Sequence, residues 1–165
     1  MLELYDLPDE ELLERYKERF PQLDVPAQIC FLQTMRVASD VESWLNSLLT
    51  RYNISQRRFF ILILLSRRSE GWTPSELAKG TGVTNATMTG VLDTLVKDGL
   101  VERKTAPDDR RVKMVSLTSK GEDTIYRILP DYYERVARMM QDFSSEERRL
   151  LRNILDKLSD GLANI

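Results

Sequence analysis

Residues 73–99 read "TPSELAKGTGVTNATMTGVLDTLVKDG". Thr73-Pro74-Ser75-Glu76 is a capping box: the threonine hydroxyl can accept from the backbone N–H three residues on, and the glutamate can return the bond. Proline at the first helical position gives up an N–H that has no helical partner anyway. The helix started there is short, because Gly80 and Gly82 follow. Thr84 caps a second helix that Gly99 stops. A short helix, a tight glycine turn and a second helix of about four turns form a helix-turn-helix pattern.

At 100° per residue the second helix turns Met88, Val91, Leu92 and Leu95 toward a core. Ala86, Gly90, Asp93 and Lys97 fall opposite, with Thr87, Thr89 and Thr94 on the flanks. Its exposed first turns carry Asn85, Ala86, Thr87, Thr89 and Gly90, which are small or hydroxylated. Such a surface suits a helix pressed into a DNA major groove. Asparagine can bridge adenine, threonine can bond bases or phosphate, and methyl groups can meet the thymine methyl. Free N–H groups at the helix start can face phosphate. Thr84 itself reads as a cap. The first three turns of this face hold no Arg or Lys, so positive charge must come from elsewhere.

The residues that follow supply it. "LVERKTA" and "RVKMVSLT" read as two short strands around a polar loop, a β-hairpin. A hairpin directly behind a helix-turn-helix makes a winged helix. Its cations are Arg103, Lys104, Arg110, Arg111 and Lys113. Asp108 reads as a turn residue after Pro107. The 165-residue chain has a net charge of −2, but the charge is unevenly spread. Residues 55–121 carry 12 Lys/Arg against 7 Asp/Glu, and the remainder carries 12 against 19. A basic middle between acidic ends is what a polyanion-facing centre requires.

Helices flank this centre on both sides. "LPDEELLERYKERF" predicts a helix from Pro8 to Arg19, and a longer one runs from Val25 to Tyr52 with Ile29, Leu32, Met35, Val41, Leu45, Leu48 and Leu49 on its apolar face. Ser55 caps a third helix reaching Arg68. Beyond the wing, a long helix carries Ile125, Ile128, Leu129, Tyr132, Val136, Met140 and Phe143, with a kink expected at Pro130. A final helix is capped by Ser144 and Glu147 and carries Leu151, Ile154, Leu155, Leu158 and Leu162. Terminal stripes of this length bury best against a second copy. The expected layout is mainly α with a small β-hairpin wing, a winged helix-turn-helix with helical dimerisation arms. Residues 1–54 form N-terminal helices that serve dimerisation and wall an effector pocket. Residues 55–121 form the DNA-binding domain, and residues 122–165 form C-terminal dimerisation helices.

Other function classes fit poorly. With no histidine, the commonest general base and metal ligand is missing. No metal-ligand cluster, phosphate-binding glycine loop or nucleophile elbow is present. Glu146 and Glu147 stand at a helix start, where capping accounts for them. An enzyme, a cofactor and a metal site are therefore not expected. Cys30 is the single cysteine, so no intrachain disulfide framework exists. The acidic N-terminus lacks an apolar signal core, and "FFILILL" (59–65) is too short to span a bilayer. The expected location is cytoplasmic, on the nucleoid, without membrane contact.

The stretch "LAKGTGVTNATMTGVLDTLVKDGLVERKTAPDDRRVKMVSLTSKG" resembles the MarR family of bacterial transcription regulators. The resemblance rests on the capped first helix, the T-x-x-T-x-T-x-x-x-D-x-L spacing of the recognition helix, "GLVER" entering the wing, and D-x-R-x-x-x-V-x-L-T-x-x-G, here Asp109, Arg111, Val115, Leu117, Thr118 and Gly121. It implies a homodimer joined through its terminal helices. Each winged helix would bind half of a pseudo-palindromic double-stranded operator, with Arg111 entering the minor groove and Asp109 orienting it. It also implies a repressor released by a small anionic or aromatic effector. Many relatives carry a basic residue where this chain has Gly90. The N-terminal extension resembles the urate-responsive branch, in which a tryptophan stands at Tyr16 and an aspartate at Phe60, while Arg67 matches a ligand-contacting arginine. With those two positions changed, the resemblance implies a pocket in the same place for another ligand. Cys30, in "QICFL", resembles the sensing cysteine of the hydroperoxide-responsive branch, whose tyrosines are replaced here by Gln56 and Phe59. A cysteine-based oxidant-sensing repressor is one alternative, although a lone cysteine on an apolar helix face ordinarily packs as a small core residue. A winged helix used only for protein contacts is another.

Overall fold

The computed structural model describes residues 6–105 and 113–164. Seven α-helices and one two-stranded hairpin follow in this order among the described residues: α1 Glu10–Arg19, α2 Val25–Thr50, α3 Gln56–Leu65, α4 Pro74–Thr81, α5 Asn85–Lys97, β1 Val101–Thr105, β2 Lys113–Leu117, α6 Ser119–Met139 and α7 Ser145–Ala163.

Each start is fixed by a local hydrogen bond. Helix α1 begins at Glu10 rather than Pro8, and Asp9 caps it by accepting from the Leu12 N–H at 2.8 Å. Both expected capping boxes are present, Thr73 with Glu76 on α4 and Ser144 with Glu147 on α7. Those two carboxyls sit below the ordinary glutamate range. For Glu76 the largest cause is the backbone N–H of Thr73, and for Glu147 the Ser144 hydroxyl. The tight turn between α4 and α5 comes from Gly82, which ends α4 at φ +67°, a conformation that costs glycine nothing.

The core lies under the helix-turn-helix. Phe59, Leu62 and Leu65 of α3, Leu77 of α4, and Met88, Leu92 and Leu95 of α5 pack with Val115 of β2 and with Ile125 and Ile128 of α6. These side chains are almost wholly removed from water, which stabilises roughly 1.5–3 kcal/mol each. The hairpin is antiparallel, pairing Val101 with Leu117 and Thr105 with Lys113. Trp72 adds a third rung by exchanging two backbone hydrogen bonds with Val115 at 2.9 and 2.8 Å. Gly71 makes that approach possible, because a Cβ there would stand 2.5 Å from the Val115 carbonyl oxygen. Thr118 closes the far end. Its hydroxyl donates to the Gly99 carbonyl at 2.6 Å and accepts from the Gly121 N–H at 3.1 Å. A Cβ on Gly121 would meet the Leu100 carbonyl oxygen at 2.0 Å, so the first turn of α6 can dock there only with glycine.

The arms behave differently. Of the seven apolar positions read along α2, only Leu45, Leu48 and Leu49 are buried, while Met35 and Val41 remain exposed. Helix α6 runs unbroken through Pro130. Its link to α2 is polar as well as aromatic. Asp131 accepts from Arg51 at 3.1 Å, from the Tyr52 hydroxyl at 3.2 Å and from Arg135 at 2.6 Å. The Arg135 hydrogen bond is the largest cause of its lowered pKa. Tyr132 meets Phe59 edge to face at 5.4 Å and lies tilted against Trp44 at 6.2 Å. Helix α7 buries nothing and makes no extensive contact with the rest of the described chain, leaving Leu150, Ile154, Leu155, Leu158 and Leu162 open.

Candidate nucleic-acid interface

Helix α5 presents the surface its periodicity predicts. Met88, Leu92 and Leu95 point inward, and Asn85, Ala86, Thr89 and Gly90 are exposed at its start, with Thr87 half-buried beside them. The hydroxyls are already engaged. Thr84 and Thr87 share a hydrogen bond at 2.9 Å, and Thr89 donates to the Asn85 carbonyl at 3.0 Å. Thr89 is thus left with a methyl group and oxygen lone pairs, while one proton of the Thr84–Thr87 pair stays free to donate.

The wing cations are not equally available. Arg103 donates to Asp93 of α5 at 2.6 Å. Lys104 is paired with Glu102 on its own strand. Lys113 reaches the Thr105 hydroxyl at 3.2 Å and keeps its charge unmatched by a carboxylate among the described residues. Asp108, Asp109, Arg110 and Arg111 lie outside the described residues, so the tip of the wing and the Asp109–Arg111 pairing stand as sequence expectations. Sequence reasoning placed Asp93 on the exposed side of α5 without naming a partner for it, because Arg103 reaches it from another element.

Next to this surface a groove of about 710 Å³ runs between α2, α3 and α5. Arg57, Glu42, Asn46 and Phe60 line one side, and Thr87, Gly90 and Thr94 of the recognition helix line the other. A cavity of about 270 Å³ continues it past Phe60 to Arg67, Gly80 and Thr81. The structure thus brings Phe60 and Arg67 together. It does not bring Tyr16 to them within one chain: Tyr16 lines a separate apolar cleft between α1 and α2, with Phe20 and Phe31. Cys30 is exposed in the single chain, which departs from the expectation of a packed core position; it does not line the cleft that α1 forms with α2.

Residues 54–113 match the MarR family. Over 112 residues the chain is 33% identical to an HTH-type transcriptional regulator of Bacillus subtilis, YdgJ, covering 68% of each chain. This chain belongs to the MarR family. It is also 28% identical over 163 residues to the B. subtilis HTH-type transcriptional repressor YetL, covering 98% of both. The Staphylococcus aureus MepR–DNA complex has the same fold, with a TM-score of 0.72 at 20% identity over 79% of this chain and 94% of that one. As a MarR protein the chain is a DNA-binding transcriptional regulator and not an enzyme. Among the described residues no helix is long and apolar enough to cross a membrane, and no cluster of acids or cysteine could hold a metal.

MarR membership divides the wing motif in two. Leu117, Thr118 and Gly121 are fold residues, because they seat α6 against the Gly99–Leu100 turn. Asp109 and Arg111 lie outside the described residues, and a DNA role for them is what the family resemblance implies.

Proposed function

We propose that the chain is a homodimeric repressor, released from a pseudo-palindromic operator by a small anionic or aromatic molecule bound in the groove between α2, α3 and α5. The observation that carries this reading is the groove's shared wall. Thr87, Gly90 and Thr94 face it from the recognition helix itself. A ligand seated there presses on the element that enters the major groove, so differential binding to the free and DNA-bound positions of α5 couples the two sites. Arg57 and Arg67 favour a carboxylate or phenolate, and Phe60 offers a ring face.

In this reading Asn85, Ala86, Thr89 and Gly90 meet base edges, Thr87 supports the helix start, and Arg110, Arg111 and Lys113 supply the charge of the wing, with Asp109 bracing Arg111. Arg103 acts through its bond to Asp93, fixing the wing against the recognition helix, and Lys104 contributes to the wing's positive field. Residues 1–54 and 122–165 form the dimer through α1, α2, α6 and α7, whose apolar residues a second copy covers. Binding to the chromosome places the protein on the nucleoid in the cytoplasm. The MepR–DNA complex supports the use of this fold on duplex DNA. The test is fluorescence anisotropy with the duplex upstream of the protein's own gene, repeated with a panel of aromatic acids. A specific complex that an aromatic acid dissociates, and that Arg67→Ala renders insensitive, supports the reading; a complex indifferent to every ligand at millimolar concentration refutes the effector role.

A further inference from the structure

A second cleft, of about 330 Å³, opens where the α2–α3 turn, the C-terminal end of α5 and the first turns of α6 meet. It shares only Arg58 with the groove already described. Three cations face it, Arg58, Lys120 and Arg127, with one carboxylate, Asp98. Asp98 ends the recognition helix, and its carboxylate takes a hydrogen bond from the Arg58 guanidinium. Lys120 donates to the Asp98 backbone carbonyl at 2.7 Å, a neutral acceptor that leaves the ammonium charge uncompensated. Arg127 forms no ion pair among the described residues. The Nε of Arg58 is buried without a hydrogen-bond partner. Ile54 and Leu100, both buried, supply an apolar floor, which strengthens the repulsion between the cations.

We propose that this cleft binds a small dianion, a phosphate monoester or a dicarboxylate. Two negative charges match the excess of three cations over one carboxylate, and Arg127 and Lys120 provide donors that geometry leaves free to turn inward. The site lies away from the base-reading start of the recognition helix: the 13 residues of α5 separate the two by roughly 20 Å. A bound dianion competes with Asp98 for Arg58 and so bears directly on the tether between the recognition helix and α3. This site stands or falls independently of the effector groove.

The experiment is a thermal-shift and calorimetric titration of the full chain with inorganic phosphate and, separately, with succinate, against sodium chloride at matched ionic strength. The wild type is expected to be stabilised by at least one of the two beyond the salt control, phosphate alone indicating a phosphoester ligand and succinate alone a dicarboxylate. Arg127→Gln, which spares the Arg58–Asp98 bond, weakens that binding about tenfold, the loss expected for one charge-assisted hydrogen bond. Arg15→Gln, on the exposed face of α1, leaves it unchanged. No shift beyond salt in the wild type, or equal binding by Arg127→Gln, overturns the proposal. So does loss of operator affinity by Arg127→Gln in dianion-free buffer when the wild type binds neither dianion, since the cleft would then serve DNA.

Discussion

The winged helix and the arms both carry long apolar stripes and use them in opposite ways. Between α3 and α6 every long apolar stripe is closed: Phe59, Leu62, Leu77, Leu92 and Ile125 are fully buried within one chain. Along α7 the same kind of stripe is open, with Leu162 63% and Leu150 57% exposed. Amphipathic helices of this length do not stay open in water when a partner can cover them. The difference is that the reading domain is completed by its own chain, whereas the arms leave their stripes open; in the proposed dimer a second copy covers them, so that DNA recognition and dimerisation should be separable by mutation.

The sharpest way to break the comparison is to change one apolar side chain on each side of it. Leu92→Ala should cost about 2–5 kcal/mol of unfolding free energy, measured by denaturant titration, because the closed core cannot collapse around the gap. Leu155→Asp, on the open stripe of α7, should leave the winged helix folded. It should weaken dimerisation by about 30-fold or more, as truncating an interface anchor costs at least about 2 kcal/mol. Sedimentation across a range of concentrations measures this, and an unchanged dimer would place the interface elsewhere. Arg111→Ala should lower operator affinity by about tenfold or more with no change in melting temperature or dimerisation. Asp109→Ala should do the same to a smaller extent; equal affinity for wild type and Arg111→Ala would refute the role given to the wing tip.

The smallest effect is on pH. The carboxyls of Glu76, Glu147 and Asp131 are held below their ordinary values, Glu76 chiefly by the Thr73 N–H. Groups lowered in the folded state contribute their full stability above the ordinary carboxylate value and lose it as pH falls through the lowered one. The melting temperature should therefore drop in that acid window, and Glu76→Gln should drop less steeply there while starting lower at neutral pH.

Much of this was legible in the sequence, and the reasons are local. Capping boxes at Thr73 and Ser144 need only residues three apart, and the inward face of α5 follows from the helical period. Phe60 and Arg67 lie seven residues apart, so the helical period alone sets them on one side of the helix expected to reach Arg68, and what the sequence did not show is that Gly80 and Thr81 of α4 close their cavity. Two things were not legible. Cys30 sits on an apolar-looking helix yet is exposed, because burial depends on what lies across from it. Asp93 and Arg103 meet across two elements, and sequence spacing carries no trace of that distance. Within the wing motif the resemblance gave roles to Asp109 and Arg111 alone; the packing role of Thr118 and Gly121 emerges only once α6 is seated against the Gly99–Leu100 turn.

The central claim is that two closed winged helices, joined by open arms, grip one duplex. Sedimentation of the protein with its own upstream operator duplex at moderate salt tests it most directly. The account predicts two chains per duplex, with affinity falling steeply as salt rises. A single chain bound per duplex, or no specific complex at all, would contradict it.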